Sequence, residues 1–535
     1  MKRTLSSILV LAMMLTAMLG VISFADAAPA AETPELDISD ATLQFASAVY
    51  IYVAVDYSDF DSAEGVTLKV TNNKTGDSTI LQPNKSVTAP TNCVAFKYTA
   101  LGSKNMGDEL TLQAMKDGVA SGSSKTYSVL EYALKAQAQG DAKLTALMQA
   151  MLKYGADSQT AFNHPGSYDL KKSYSLVKVG GIGSVNGKTK TIVETGTAVS
   201  VTASASDAVW YTSAVQRQGV GASISVNTAK PYQALYAVPK SVANSESYEL
   251  DMDKYTGNAT LDVNTPKADI GGTLSWLNQS SFTGTATGKL ELKNGYIKWN
   301  NGNGLNFNSA AVADAISESV SDYAKAVVAG TSTEGLNSVF TISITLAADE
   351  NSSSLFTRWH IRNGKNATIT TANAETAAKD STPFATTAGR LSFLQSNGTM
   401  LKPMYNAAAS TTVTATSGTW KNVLPTLSKG QNGEPGEFVT IHMVIDLSGE
   451  DTCPICKGAE SAVASCASCG KDGKASTIKY YVGESATPLI TTINPVPVLY
   501  FTTIAGGYLN GENGNGVGYL KAFTVTNGNF TDFFK

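Results

Sequence analysis

The stretch Val439-Thr-Ile-His-Met-Val-Ile-Asp-Leu447 decides the fold of the C-terminal half of this 535-residue chain. Every second residue in it is apolar, which predicts a long β-strand with one buried face. The apolar residues are Val439, Ile441, Met443, Ile445 and Leu447. The β-branched and aromatic run Ile478-Lys-Tyr-Tyr-Val482 is the predicted hairpin partner of this strand.

Further strand patterns surround this hairpin. Phe340 to Leu346 alternates apolar residues with Thr and Ser, and Leu290 to Trp299 predicts a hairpin that turns at Asn294-Gly295. The remaining patterns are Phe356 to Ile361, Arg390 to Leu394 and Gly518 to Val525. We therefore expect residues 247–535 to form one mainly β unit.

In their order, these stretches resemble the concanavalin A-like (laminin G-like) jelly roll. The likeness lies in the opening strand Phe340 to Leu346, the hairpin from Thr440–Asp446 to Tyr480-Tyr-Val-Gly483, and the closing strand Leu520 to Asn527. The resemblance implies two stacked sheets whose concave face binds carbohydrate or protein. Lys521 stands where that family often has an acidic residue, which weakens the calcium site that the resemblance would imply.

A cysteine-containing insert, residues 450–476, interrupts the predicted hairpin. Cys453 and Cys456 form one C-x2-C pair, and Cys466 and Cys469 form a second pair after a nine-residue spacer. Two such turns can place four sulfurs around one tetrahedral metal, so the spacing predicts a structural zinc with no open coordination position. Two disulfides are the alternative in an extracellular setting. A redox role would need a βαβ context, which this sequence does not show.

The N-terminal part of the chain changes its periodicity once. Residues 36–127 contain short strand patterns separated by turn residues, which predicts a small immunoglobulin-like β-sandwich. Residues 128–164 follow helical spacing and begin with the capping box Ser128-Val-Leu-Glu131, which predicts a helical hairpin packed on that sandwich. Together they resemble a module of large exported proteins of Gram-positive bacteria.

A further β segment, residues 165–246, predicts a small β-domain. Asn186-Gly187 is a type I′ turn signal between Ile182-Gly-Ser-Val185 and Lys190-Thr-Ile-Val193. The triplet Gly187-Lys-Thr189 is part of that hairpin, because the upstream glycine that a phosphate loop requires is replaced by Ile182.

The N-terminus predicts export. A basic start at Lys2 and Arg3 precedes an apolar run and the small-residue site Ala25-Asp-Ala27, so residues 1–27 form a predicted signal peptide and the mature protein is secreted. No later segment is apolar enough to span a membrane. Removing Lys2, Arg3 and Asp26 leaves 38 basic and 43 acidic residues, a net charge of −5, which argues against nucleic acid as a partner.

The sequence shows no convincing catalytic constellation. Its three histidines are His164, His360 and His442, and a strand histidine is more often a buried polar residue than a catalyst. Glucanases of the jelly-roll family use two carboxylates from one strand, whereas Asp446 stands alone on its strand. The sequence therefore favours a binding protein over an enzyme.

Candidate ligand-binding residues occur in the large C-terminal unit. Aromatic rings stack on sugar faces, while Arg, His and Tyr side chains bond hydroxyl groups. On this basis the predicted ligand-binding residues are Arg358, His360, Arg362, His442, Trp299 and Tyr481. Trp359 lies on the opposite face of its strand from Arg358, His360 and Arg362. If these three residues face solvent on the convex side, Trp359 is a core residue, and if they face the concave groove, they form a polar binding floor.

We therefore expect a secreted, non-enzymatic, lectin-like protein that binds a glycan through its jelly roll. The alternatives are an adhesion or scaffold protein that binds a cell-surface protein, and a glycoside hydrolase. Two groups of acidic residues either hold calcium through their carboxylate oxygens or are solvated loop charges. These are Asp59, Asp61 and Glu64 in one segment, and Asp251 and Asp253 in another.

Overall fold

The computed structural model describes a mainly β protein with several antiparallel sheets. The described residues are 34–45, 49–87, 89, 92–138, 142–240, 249–251, 259–261, 282–283, 290–293, 295–300, 304–306, 309–349, 357–362, 390–397, 400–403, 424–454, 456, 472–494, 508–513 and 517–534. The predicted signal peptide lies outside them. No helix in the described ranges has the length and apolar character that crossing a bilayer requires.

The N-terminal strands form a two-sheet sandwich, as predicted. They are β1 (Asp37–Phe45), β2 (Val49–Asp56), β3 (Val66–Asn72), β4 (Ser78–Leu81), β5 (Cys93–Tyr98), β6 (Leu110–Lys116), β7 (Val119–Ala120) and β8 (Lys125–Tyr127). One sheet has the order β1-β2-β5, and the other has the order β4-β3-β6-β7 with β8 also on β6. Alternate residues of β3 are buried, which confirms the period-two pattern read from its sequence.

Two helices follow the sandwich at the predicted positions. Helix α1 spans Val129–Gln137 and α2 spans Ala142–Ala161. The Ser128 hydroxyl accepts a hydrogen bond from the Glu131 amide at 3.0 Å, which confirms the serine half of the capping box.

A buried carboxylate ties the end of α2 to the sandwich. The Asp108 side chain is fully buried and accepts hydrogen bonds from Asn72 (2.9 Å) and Asn105 (2.8 Å). The His164 ring lies 3.1 Å from the same carboxylate, and the Ser167 amide donates to it at 3.2 Å. His164 therefore has a structural role in this unit, because a buried carboxyl group needs hydrogen-bond partners.

The chain divides into two compact units. The first contains residues 1–132 and 152–171, and the second contains residues 133–151 and 172–535. The small β-domain and the C-terminal β unit therefore belong to one compact body.

Two small sheets form the β-domain. Its strands are β9 (Tyr174–Gly181), β10 (Gly183–Ser184), β11 (Lys190–Glu194), β12 (Val199–Ala203), β13 (Val209–Thr212), β14 (Arg217–Val220), β15 (Ser223–Val226) and β16 (Tyr232–Val238). The five-stranded sheet has the order β11-β9-β16-β13-β14, and the three-stranded sheet has the order β10-β12-β15. The fully buried Trp210 lies in the core and donates its indole N–H to the Gly221 carbonyl at 2.9 Å.

The type I′ turn is confirmed, but the strand pairing predicted around it is wrong. Asn186 and Gly187 have φ angles of 50° and 70°, and Val185 and Lys188 exchange hydrogen bonds across the turn. Beyond that bridge, β11 pairs with β9 while β10 pairs with β12. Because β11 pairs with β9 and not with β10, Val193 of β11 packs on the apolar core of the domain.

Among the described residues, the C-terminal unit contains two large sheets and one α-helix. Its elements are β17 (Glu249–Asp251), β18 (Ala259–Leu261), β19 (Phe282–Thr283), β20 (Leu290–Lys293), β21 (Tyr296–Asn300), β22 (Gly304–Asn306), α3 (Ser309–Ala329), β23 (Val339–Ala347), β24 (Thr357–Arg362), β25 (Arg390–Asn397), β26 (Met400–Pro403), β27 (Val439–Thr452), β28 (Lys474–Val482), β29 (Ile490–Ile493), β30 (Tyr508–Asn513) and β31 (Val517–Asn527). The nine-stranded sheet has the order β18-β20-β21-β31-β23-β27-β28-β29, with β17 on β31. The six-stranded sheet has the order β19-β22-β30-β24-β25-β26.

The predicted central hairpin is confirmed. β27 pairs with β28 in antiparallel register, with Ile445 opposite Ile478 and Ile441 opposite Val482. Ile441, Met443, Ile445 and Leu447 are buried, as their alternation predicts. His442 and Val444 on the other side of β27 are buried as well. Both sides of this sheet are therefore covered, which one-sided alternation did not predict.

The C-terminal residues provide that second cover. A 3-10 helix at Phe530–Phe534 packs against the five-stranded sheet, with Phe530 5.5 Å from Tyr211 and Phe534 4.8 Å from Tyr236 in edge-to-face contacts. The Phe534 ring also lies 5.0 Å from the His442 ring of β27. We call the helix Phe530–Phe534 the aromatic clasp, because it joins the small β-domain to the nine-stranded sheet.

Polar contacts reinforce the same junction. Glu484, just after β28, forms an ion pair with Lys178 at 3.0 Å and accepts a hydrogen bond from the Tyr232 hydroxyl at 2.7 Å. The Thr524 hydroxyl of β31 donates to the Val215 carbonyl at 3.1 Å. The outer side of the nine-stranded sheet around β27 is consequently an internal interface of the second unit.

Candidate functional site

Strand β24 of the six-stranded sheet carries three of the predicted ligand-binding residues on one side. Arg358, His360 and Arg362 are two residues apart, and such residues lie on the same side of a strand. The pairing register adds residues of β25 and β30 to that side. The resulting rows are Gln395–Arg358–Glu512, Ser392–His360–Asn510 and Arg390–Arg362–Tyr508. We call these nine residues the polar side of the six-stranded sheet.

On the opposite side of the same three strands, the two central rows are mainly apolar, namely Leu394–Trp359–Gly511 and Leu391–Ile361–Leu509. At the end of that side Thr357 is opposite Asn513. A sheet that is apolar on one side and polar on the other is the kind of layer from which a β-sandwich is built. The register therefore groups Trp359 with apolar residues and places Arg358, His360 and Arg362 on the other side of the strand.

Six members of the polar side were missed by sequence reasoning. They are Arg390, Ser392, Gln395, Tyr508, Asn510 and Glu512. Sequence reasoning did not pair β24 with β30, because the two strands are far apart in the chain. A usable signal was present nonetheless: in Tyr508-Leu-Asn-Gly-Glu512 the polar residues occupy every second position.

The other three predicted residues lie in the nine-stranded sheet, so the predicted set does not form one site. Trp299 lies on β21, opposite Leu290 and Gly518. His442 and Tyr481 are direct cross-strand neighbours on β27 and β28. Their exposed fractions are 0% and 4%, which places both in the internal interface that the aromatic clasp covers.

The His442 ring is held by two hydrogen bonds. Nε2 lies 2.9 Å from the Gly483 carbonyl and Nδ1 lies 2.8 Å from the Ser343 hydroxyl. A carbonyl oxygen only accepts, so Nε2 carries the proton and Nδ1 accepts from Ser343. Burial lowers the pKa of His442 to about 4, although the Gly483 carbonyl and the Glu484 charge act in the opposite direction. His442 is therefore a neutral core residue at neutral pH, with both ring nitrogens satisfied.

Several described carboxylates of the C-terminal unit are bonded to neighbouring side chains. The donors are Tyr519 for Asp349 (2.7 Å), Tyr296 for Glu434 (2.6 Å) and Lys479 for Asp451 (2.8 Å). Burial, together with the hydrogen bond to the carboxylate, raises the pKa of both tyrosines, so their hydroxyls stay protonated and donate. Each of these hydrogen bonds joins a carboxylate to a side chain of a different segment of the C-terminal unit.

Two of the predicted zinc ligands lie at the tip of the central hairpin. The Cys453 amide donates to the Gly473 carbonyl at 2.8 Å, next to the last β27–β28 pair. Cys453 and Cys456 are buried and pack with Ala475 in a small cluster. Cys466 and Cys469 lie outside the described residues. Strand β27 ends at Thr452 and β28 begins at Lys474, so both strands extend into the range 450–476 that the sequence assigned to the insert.

The predicted calcium ligands are not brought together where they are described. Among the described residues, no three His, Cys, Asp or Glu side chains are grouped closely enough to hold a metal ion. Asp59, Asp61 and Glu64 belong to this part of the chain, whereas Asp253 lies outside it.

No protein-family model and no curated protein matches the chain. Among solved structures, it is similar to the Emp47p carbohydrate recognition domain, with 10% identity and a TM-score of 0.23 over 55% of this chain and 100% of that chain. It is also similar to a Trypanosoma rangeli sialidase, with 10% identity and a TM-score of 0.23 over 93% of this chain and 62% of the sialidase. Similarity of this extent assigns neither a family nor a function to the chain.

Proposed function

We propose that this protein is a secreted, non-enzymatic carbohydrate-binding protein whose ligand lies on the polar side of the six-stranded sheet. The observation that carries this proposal is the register of β25, β24 and β30. It gathers Arg, His, Gln, Asn, Ser, Tyr and Glu positions on one side of three adjacent strands. So many hydrogen-bond donors and acceptors on three adjacent strands suit the hydroxyl groups of a sugar.

The packing of other elements on the nine-stranded sheet supports the choice of the six-stranded sheet as the binding surface. A two-sheet sandwich has two outer sides, and the outer side of the nine-stranded sheet around β27 is packed by the small β-domain and the aromatic clasp. The side of the nine-stranded sheet that carries His442 and Tyr481 is therefore not open to a ligand, which favours the six-stranded sheet as the site.

Replacing the central polar row should weaken glycan binding. We expect His360→Ala combined with Asn510→Ala to lower the affinity for the best glycan by about tenfold or more, because each lost hydrogen bond to a sugar hydroxyl costs about 1 kcal/mol. The measurement is a glycan array with the unmutated protein, followed by titration calorimetry on the strongest ligand. Asn227→Ala, at an exposed position of the small β-domain, is the control and should leave the affinity unchanged.

The alternatives make different predictions for the same experiment. An adhesion or scaffold protein would give no signal on the array and would retain a cell-surface protein in a pull-down. A glycoside hydrolase would release reducing sugar from a bound polysaccharide. Either result would overturn the proposal.

We further propose that the cysteine insert holds a structural zinc ion through Cys453, Cys456, Cys466 and Cys469. Two of these thiols are buried three residues apart at the hairpin tip, and sulfur ligands in C-x2-C turns fit the preference of zinc. Such an ion would join the two ends of the insert and leave no position for substrate.

Removing the zinc should lower thermal stability. We expect elemental analysis of the purified chain to give about one zinc per molecule, and Cys456→Ser to lower both the zinc content and the melting temperature. Cys93→Ser is the matched control, because Cys93 lies on β5 of the N-terminal sandwich. Two disulfides in a zinc-free protein, detected by mass spectrometry, would contradict the proposal.

A further inference from the structure

The arginines of this chain are concentrated on the polar side of the six-stranded sheet. The sequence contains only five arginines among 40 basic residues, namely Arg3, Arg217, Arg358, Arg362 and Arg390. Three of the five fall on the polar side, while the whole chain has a net charge of −4. Lysine supplies nearly all other positive charge, so this side uses the residue whose planar guanidinium binds carboxylate and sulfate groups in a bidentate manner.

The register distributes these arginines unequally. Arg358 is opposite Glu512 of β30, so its row contains both signs of charge. Arg362 is directly opposite Arg390 of β25, and the third position of their row is Tyr508. Neighbouring strands lie about 4.8 Å apart, and like charges in directly opposed positions destabilise a sheet.

The opposed positions of Arg362 and Arg390 are explained if an anion binds beside them and offsets the repulsion between their charges. Sequences depart from local stabilising rules chiefly at functional sites, where the cost is offset by binding. Tyr508 in the same row adds an aromatic position of the type on which sugar rings stack. Resting on the proposed function, we infer that the glycan is acidic and that its carboxylate or sulfate group is bound by Arg362 and Arg390.

The inference predicts charge selectivity in the intact protein. We expect polygalacturonate to bind at least about tenfold more tightly than its fully methyl-esterified form, because a charge-assisted bond is worth about 1.5–3 kcal/mol. Chondroitin and chondroitin sulfate distinguish the carboxylate from the sulfate as the preferred group. Raising the NaCl concentration from about 50 mM to about 500 mM should weaken the binding of the acidic glycan.

Single variants locate the anion. Arg362→Gln and Arg390→Gln should each lower the affinity for the acidic glycan by about tenfold or more, and Arg362→Lys should restore only part of the loss. Arg358→Gln should have a smaller effect, because Glu512 shares its row. Arg217→Gln, on β14 of the small β-domain, should have none. The melting temperatures of Arg362→Gln and Arg390→Gln should not fall, since each variant removes one of two like charges at directly opposed positions.

The outcomes separate this inference from the proposed function. Equal binding of the acidic and esterified glycans, unaffected by Arg362→Gln and Arg390→Gln, would overturn the inference and leave a neutral-glycan binding protein. Binding to no glycan at all would overturn both.

Discussion

Replacing Phe530 with alanine should lower the free energy of unfolding of the C-terminal unit by about 4 kcal/mol. Phe530 is fully buried in the core that joins the five-stranded sheet to the nine-stranded sheet. Truncating a buried phenylalanine removes its transfer free energy and leaves a cavity, at a cost of about 3–5 kcal/mol. The edge-to-face contact with Tyr211 at 5.5 Å is lost as well. Urea denaturation and calorimetry of the full-length chain measure the effect.

Two phenylalanines provide matched controls for this variant. Phe533 lies in the same clasp but is only partly buried, so Phe533→Ala should cost less than half as much. Phe162 is 65% exposed, and Phe162→Ala should change stability by less than about 1 kcal/mol. If Phe530→Ala were no more destabilising than Phe162→Ala, the clasp would not hold the small β-domain on the sheet.

Acidification should destabilise the protein through His442. The folded-state pKa of this histidine is lowered by burial to about 4, below its ordinary value of 6.5. Between these two pH values the unfolded chain binds a proton that the folded protein does not, so the free energy of unfolding falls as the pH falls. A pKa difference of this size corresponds to a loss of about 3 kcal/mol from pH 7 to pH 4. The stabilisation is fully present above about pH 6.5.

A neutral replacement isolates this contribution from general acid denaturation. Glutamine can accept from the Ser343 hydroxyl and donate to the Gly483 carbonyl, as the His442 ring does, but it does not titrate in this range. We expect the difference in unfolding free energy between the unmutated protein and His442→Gln to change by about 3 kcal/mol between pH 7 and pH 4. The His164→Gln variant should still show this loss of unfolding free energy between pH 7 and pH 4. Parallel pH curves for the unmutated protein and His442→Gln would contradict the assignment.

The Glu484 charge influences the protonation of His442. Glu484 favours protonation of the ring, and it is itself paired with Lys178 and Tyr232. Replacing Glu484 with glutamine should therefore increase the loss of unfolding free energy on acidification. Chloride at moderate concentration should have little influence, because a fully buried ring is poorly screened by salt.

Local sequence patterns predicted most of the secondary structure. The capping box at Ser128, the alternation in β3 and β27, and the turn at Asn186-Gly187 are each specified by neighbouring residues. The partner of β11 was predicted wrongly, because the choice between β9 and β10 depends on which core receives Val193. Contacts between distant segments decide such a choice, and periodicity does not record them.

The sequence alone determined that the chain is mainly β, which residues alternate along each strand, and that four cysteines occur as two C-x2-C pairs. Only the tertiary structure decided which predicted ligand-binding residues share a surface. It placed Arg358, His360 and Arg362 beside β25 and β30, and it buried His442 and Tyr481 beneath a clasp formed by the last residues of the chain. The physical reason is that alternation shows that a strand has two sides, whereas the element that covers each side is set by packing between segments far apart in the sequence.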